Sequence, residues 1–240
     1  RLWPRHSLFD CTRFNAMKID GGLGVESGFD GIKESCQQQE ELGYDGLWVP
    51  ETAHDPFTML PLMAEATENV ELGTGIVDGF ARNPMDLAYS ANDIQLLSKG
   101  RFTLGLGSQI KPHITKRFSM EWSKPAARMR EMILATKAIW NSWNTGEKLD
   151  FRGDFYQHTL MTPFFHPGEN PYGAPRMALA GVGPLMTEVA GETCDVFLAH
   201  GFTNSTKARF SDLWSSLQTI YKLSLIHISE PTRQEAISYA

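Results

Sequence analysis

The stretch Gly43-Tyr-Asp-Gly-Leu-Trp-Val-Pro-Glu-Thr-Ala-His-Asp-Pro-Phe57 decides the fold. Upstream of it, Phe29 to Leu42 reads as a helix with Ile32, Cys36 and Leu42 on one face, and Gly43 is the residue type that ends helices. The turn Tyr44-Asp45-Gly46 leads into the apolar run Leu47-Trp48-Val49, which Pro50 ends because proline cannot donate to a sheet ladder. A short, wholly apolar strand behind a helix is the pattern of a parallel strand covered on both faces. Glu51, His54 and Asp55 follow at once, before Pro56 and an apolar segment open the next helix. Ionisable groups where a strand meets its following helix mark the face on which α/β proteins build their sites.

The same order repeats outward. Strand one is Lys18 to Leu23, a helix follows the second strand over Phe57 to Thr67, and Val70 to Val77 is strand three. Gly73 and Gly75 in that strand mark a bulge or the close approach of a flat ligand ring, or else make room for side chains inside a packed barrel. Asn83-Pro84 starts a helix that Met85 to Leu97 continues. Arg101 to Ser108 is strand four, and its Gly105-x-Gly107 is too short for a dinucleotide fingerprint. Gln109 to Met120 is a polar loop carrying Lys111, His113, Lys116 and Arg117, either solvated or a clamp for an anion. The helix from about Ser123 to Trp143 has Met129, Ile133, Ile139 and Trp140 for its buried face. Leu149 to His158 reads as a hairpin around Arg152-Gly153-Asp154. Arg176 to Pro184 is strand five running into a glycine turn. Backbone N–H groups around Gly181 to Pro184 then sit at a helix N-terminus, which is either an ordinary tight turn or a phosphate site. Val196 to His200 is strand six, with a sixth helix over Thr206 to Lys222.

Six strand–helix units in one direction predict a (β/α)8 TIM barrel lacking its last two units, since right-handed crossovers of this kind close at eight. A doubly wound open sheet is the alternative, without the expected glycine fingerprint after strand one. The domain expected is 17–222, C-terminally incomplete. Residues 1–16 lack periodicity and read as upstream translation ahead of Met17. Residues 223–240 resemble a translated sequencing adapter, with Gln234-Glu-Ala236 as its variable index.

A net charge of -6 and a pI near 5.7 argue against nucleic acid, which needs a basic face. Cys11, Cys36 and Cys194 lie far apart without CxxC spacing, so neither a disulfide framework nor a zinc site is expected, and a reducing cytoplasm fits. No apolar run approaches the roughly 18 residues that span a bilayer.

With the strands placed, residues 17–222 resemble the bacterial-luciferase-like family of TIM-barrel flavin and deazaflavin oxidoreductases. The resemblance rests on Glu40 to Trp48, Leu72-Gly-Thr-Gly75, Asn83-Pro84, Gly100 to Ser108, Arg128-Met-Arg-Glu131, Phe151 to Tyr156 and Ala180-Gly-Val-Gly-Pro184. Gly107 to His113 with Arg117-Phe-Ser-Met120 is similar to the branch of probable coenzyme F420-dependent oxidoreductases. The resemblance implies a cofactor at the C-terminal face of the barrel. A bulge at Gly73-Thr74-Gly75, often with a non-prolyl cis peptide, would press on its ring. Gly105, Gly107, Ser108 and Gln109 would line the ring's edge, Gly181, Val182, Gly183 and Pro184 would hold its phosphate, and Asp20 is placed with the cofactor-binding residues.

The implied chemistry is hydride transfer, with the protein orienting the reactants and managing a proton. In F420-dependent sugar-phosphate dehydrogenases an acid–histidine pair follows strand two and a glutamate follows strand four. Here Glu51 matches the acid, Thr52 takes the histidine place and Ile110 falls near the glutamate, which puts sugar phosphate in doubt. His54 stands two residues on as the substitute proton donor, or as a structural histidine. The expected partners are a small-molecule substrate, a flavin or F420 reductase and a second copy of the chain. The alternatives are an FMN-dependent monooxygenase fed by a separate reductase, and a non-catalytic flavin binder or inactive fragment. No metal site is expected.

Overall fold

A computed structural model describes residues 18–24 and 28–200 and the backbone of residues 224–228. Strands β1 (Asp20–Gly22), β2 (Gly46–Val49) and β3 (Glu71–Thr74) alternate with helices α1 (Ile32–Glu41) and α2 (Pro56–Ala66). The two-residue strand β4 (Val77–Asp78), α3 (Pro84–Leu97), β5 (Phe102–Gly107) and α4 (Pro125–Thr145) follow. After a hairpin of β6 (Phe151–Arg152) and β7 (Gln157–His158) come β8 (Arg176–Gly181), α5 (Pro184–Thr193) and β9 (Val196–His200). The sheet order is β1-β2-β3-β5-β8-β9, all pairs parallel. This is the succession of β/α units expected of a barrel, and each strand–helix–strand step lies beside the one before it.

Strand β10 (Ser224–Ile228) pairs in parallel with β9. It falls in the tail read above as adapter-like, and an open strand edge takes up extended chain whatever its origin. The helix expected over 206–222 lies outside the described residues.

Local chemistry sets the boundaries. β2 stops at Val49, immediately before Pro50. Asp55 caps α2 by accepting from the Phe57 N–H at 3.0 Å, and Asn83 caps α3 by accepting from Met85 and Asp86 at 3.0 Å each, with proline at the first helical turn in both. α1 begins three residues later than the sequence pattern, after Gly31 at φ 76°. Of the face expected on α1, Ile32 and Cys36 are buried, but Leu42 is 77% exposed. Leu42 lies past the last helical residue, and Gly43 at φ 85° turns the chain away from the core there. The face expected on α4 is buried throughout: Met129, Ile133, Ile139 and Trp140.

The sheet separates two apolar regions. Leu47, Val49, Leu72, Phe102, Leu104, Leu106, Met177, Leu179 and Phe197 point outward into one large cluster with the helices. Trp48, Ala178, Val196 and Leu198 point inward and form a smaller cluster of their own. At about 1.5–3 kcal/mol for each large side chain removed from water, the outer layer carries most of the stabilisation.

Four of the sequence segments singled out above act as fasteners, in three contacts. The Glu40 carboxylate accepts from the N–H groups of Glu68, Asn69 and Val70 at 2.6–3.1 Å, tying the end of α2 to α1. Arg101 donates to the carbonyls of Ser98, Val70 and Thr67 at 2.7–2.9 Å. Glu131 on α4 accepts from Asp154, Phe155 and Tyr156 at 2.6–2.9 Å, while Arg128 donates to the Tyr156 hydroxyl at 3.0 Å. The Arg128–Glu131 and Phe151–Tyr156 segments are thus two halves of one contact, and Gly153 is glycine because a Cβ there would meet the Glu131 carboxylate.

Candidate active site

The C-terminal ends of β2, β3 and β5 come together in an irregular ladder. Gly73 pairs with Thr103 and Val77 with Leu106, so four steps on one side match three on the other and the extra residue forms a bulge. The Thr74 hydroxyl fills the gap, donating to the Gly105 carbonyl and accepting from the Gly105 N–H, both at 2.8 Å. The peptide bond between Gly75 and Ile76 is cis and non-prolyl. Gly75 donates to the Val49 carbonyl at 2.9 Å, and Ile76 accepts from the Glu51 N–H at 3.0 Å.

Beside the bulge lies a buried ionic network. One Glu51 carboxylate oxygen accepts from the Asp78 N–H at 3.0 Å and from Arg82 Nη2 at 3.3 Å. The same Nη2 donates to Asp55 at 2.8 Å, Nη1 lies 3.9 Å from Asp86, and the guanidinium covers the Phe57 ring. Glu51 is 7% exposed and Arg82 15%, against 42% for Asp55 and 52% for Asp86, so the inner pair is the one shielded from water. Asp78 is fully buried: one oxygen accepts from the Gln109 amide at 3.1 Å, and the other has no hydrogen-bond partner and sits 3.9 Å from Arg117 Nη1. Burial raises the Glu51 carboxyl above its ordinary value, against the Asp78 N–H and Arg82, which favour the ionised form. Burial raises Asp78 likewise, against Gln109 and the charges of Arg117, His113 and Arg82.

The expected residues fall into different places. Glu51 is turned onto Asp78 and Arg82, whereas the His54 ring rests 4.9 Å from the Phe29 ring. Asp55 is a helix cap and an arginine partner. The glycines at the bulge have steric reasons. A Cβ on Gly73 would lie 2.3 Å from the Trp48 ring, one on Gly105 would lie 2.0 Å from the Thr74 carbonyl oxygen, and one on Gly107 would lie 2.6 Å from Ile76 Cδ1. Ser108 and Gln109 follow, Gln109 in the left-handed region at φ 55°, its amide nitrogen donating to Asp78 and its amide oxygen accepting from the Ile110 N–H. Within the loop expected over 109–120, residues His113–Arg117 form a π-helical turn that buries Ile114 and leaves Lys111, Lys116 and Arg117 toward solvent. Asp20 lies at the other end of its strand, accepting from Trp48 Nε1 at 3.0 Å.

At the end of β8 the glycine turn runs directly into the N-terminus of α5. A Cβ on Gly181 would crowd Phe197 and Met186, one on Gly183 would meet open space, and Pro184 occupies the first turn of α5, leaving the Leu185 and Met186 N–H groups at the free end of the helix. Val182 and Leu185 beside it are 74% and 67% exposed. Both described cysteines are buried, and burial pushes Cys36 up to about 11 and Cys194 up to about 12, which disfavours the thiolate a nucleophile needs. Among the described residues no group of three His, Cys, Asp or Glu is placed to hold a metal ion, and no helix is long and apolar enough to cross a membrane.

Sequence reasoning missed Asp78 and Arg82. The signal available was a charged residue just past the glycine-marked bulge and another immediately before the Asn83-Pro84 cap.

Comparison with known proteins agrees with this architecture. Residues 10–218 match the luciferase-like monooxygenase family. The chain is 49% identical over 184 residues to the uncharacterized protein Rv1360 of Mycobacterium tuberculosis (strain ATCC 25618 / H37Rv), covering 77% of this chain and 54% of that protein. It is 31% identical over 181 residues to the F420-dependent glucose-6-phosphate dehydrogenase of Amycolatopsis mediterranei (strain U-32), covering 70% and 52%. The chain thus spans about half the length of the curated relatives it matches. The FMN complex of the oxygenating constituent of 3,6-diketocamphane monooxygenase, from Pseudomonas putida, superposes with a TM-score of 0.68 at 16% identity, over 87% of this chain and 65% of that one. A family match over most of the chain places this protein in the luciferase-like monooxygenase family, and the solved structures it superposes on share its β/α-barrel architecture.

Proposed function

We propose that the protein is an F420-dependent oxidoreductase transferring hydride between the deazaflavin and a small organic substrate. The observation that carries this reading is the juxtaposition, at the strands' C-terminal ends, of the Gly75–Ile76 bulge with the cationic loop 109–117, in a chain related to an F420-dependent dehydrogenase. F420 has a long anionic tail, and Lys111, Lys116 and Arg117 give that loop a charge an anionic tail needs. When bound, the cofactor supplies the hydride chemistry at its central ring.

The chain's own residues do the rest. Ile76 and the bulge present an apolar surface to the flat ring, and the N-terminus of α5 with Gly181 to Pro184 holds the phosphate. Arg82 fixes Glu51 at the rim as a charge-compensated anchor. His54 is the proton-handling group of this reading: its ring is half-buried at the rim, whereas Glu51 is turned inward. Thr52 and Ile110 stand where sugar-phosphate dehydrogenases carry histidine and glutamate, so the substrate is another alcohol, carbonyl or enone.

The FMN-dependent monooxygenase is the second reading, favoured by the likeness in fold to an FMN-bound oxygenase component. Protein from the complete gene, titrated with F420 and with FMN while following cofactor fluorescence, separates the two. Micromolar binding of F420 alone is the result expected. Preference for FMN redirects the assignment to oxygen chemistry with a partner reductase, and binding of neither by folded protein refutes the cofactor site.

A further inference from the structure

Trp48 is the largest side chain of the inner apolar cluster, and its surroundings are cut to fit it. Gly73 lies flat under the indole, since any Cβ there would come within 2.3–2.8 Å of three ring atoms. Asp20 Oδ2 accepts from the indole N–H at 3.0 Å, and Gly46 makes room for that carboxylate, because a Cβ on it would lie 2.9 Å from Asp20 Oδ1. Ala178, Val196 and Leu198 close the other sides, and Ile76 packs against the same cluster from the C-terminal direction. In the strand register Trp48 is opposite Gly22 and Gly73, one layer below the bulge that carries Ile76. Asp20, a layer further down, is too far along its strand to touch a ligand at the mouth, so its influence runs through the indole.

Resting on the cofactor reading above, we propose that Trp48, oriented by Asp20, is the floor of the cofactor pocket. It is a positioning residue that holds Ile76 at the height on which the flat tricyclic ring of F420 or FMN lies. An indole beneath a bound flavin or deazaflavin would quench its emission by electron transfer, which would give the arrangement a spectroscopic signature.

The test uses protein from the complete gene, with Trp48→Phe, Trp48→Leu and Asp20→Asn variants checked for cooperative thermal unfolding. Phenylalanine keeps a flat face and should hold cofactor affinity within about twofold, while leucine removes it and should weaken binding about tenfold. Both should lengthen the emission lifetime of the bound cofactor. Asp20→Asn replaces the charged acceptor that orients the indole with a weaker neutral one and should lower affinity about threefold, less than Trp48→Leu does. Unchanged lifetime in Trp48→Phe together with unchanged affinity in a folded Trp48→Leu overturns the floor while leaving the cofactor assignment intact. Failure of the wild-type protein to bind either cofactor overturns both.

Discussion

Replacing Gly73 with alanine tests the inner packing directly. The new methyl carbon would stand 2.3 Å from Trp48 Cζ3 and 2.4 Å from Cε3, where carbon atoms ordinarily rest about 3.5–4.0 Å apart. The indole cannot simply swing aside, because Asp20 holds its N–H and Ala178, Val196 and Leu198 pack around it. Overpacking of this kind costs about 1–3 kcal/mol. Trp48→Ala alone should cost about 3–5 kcal/mol as a large-to-small change in a buried site. In the double variant the methyl added by Gly73→Ala enters space the indole has left, so the combined cost should fall short of the sum by about 1–3 kcal/mol. Urea unfolding of protein from the complete gene measures each term through the midpoint at constant slope. A Gly73→Ala midpoint equal to wild type, or costs that add without coupling, refutes the argument that Gly73 exists to seat Trp48.

Arg82→Met should destabilise by about 3 kcal/mol, since it leaves the buried Glu51 carboxylate without its cation while Asp55 and Asp86 remain partly in water. Because burial already raises Glu51, its ionisation works against folding as pH rises above the ordinary glutamate value; the deficit of Arg82→Met should therefore be larger at about pH 8 than at about pH 5, read from denaturant midpoints. Glu40 behaves oppositely: burial raises it, but hydrogen bonds from the Asn69, Val70 and Glu68 N–H groups outweigh that and leave it depressed. Its contribution is full above the ordinary glutamate value and is lost as pH falls through the depressed one. Glu40→Gln should thus cost about 2 kcal/mol at neutral pH and much less in acid, and an equal gap at both pH values would sink the assignment. Glu131→Gln should speed amide exchange at residues 154–156 about tenfold with little change in global stability, because the β6–β7 hairpin hangs on that carboxylate; unaltered exchange would show the hairpin is held otherwise.

The parts of the fold legible in the sequence are those set by local rules. Pro50 and Gly43 bound their elements, Asn83-Pro84 caps a helix, and Val196–His200 is a strand from end to end, because each signal acts within a few residues. Leu42 misled because helical periodicity does not reveal where a helix stops. Strand three read as one run from Val70 to Val77, while the chain breaks it at Gly75–Ile76 to absorb the extra residue against β5, a mismatch that appears only when two distant strands are laid side by side. The polar site was half legible for the same reason. Glu51 and Asp55 stood out by lying next to a strand end, but their partner Arg82 lies 31 and 27 residues away from them in sequence.

The glycines join packing to function. A TIM barrel is ordinarily filled by layers of Val, Ile and Leu from alternate strands. Here Gly46, Gly73, Gly105, Gly107, Ala178 and Ala180 hold inward positions of β2, β3, β5 and β8, and much of the filling is left to Trp48, Val196, Leu198 and Ile76. A barrel that needed only stability would gain from branched side chains at these places. Gly105 and Gly107 instead let the bulged strand come within contact distance of β5, and Gly73 lets the indole lie flat against the backbone. The interior is therefore filled from below and kept low at the C-terminal mouth. That shape is the one the proposed reading requires, in which a flat ring rests on Ile76.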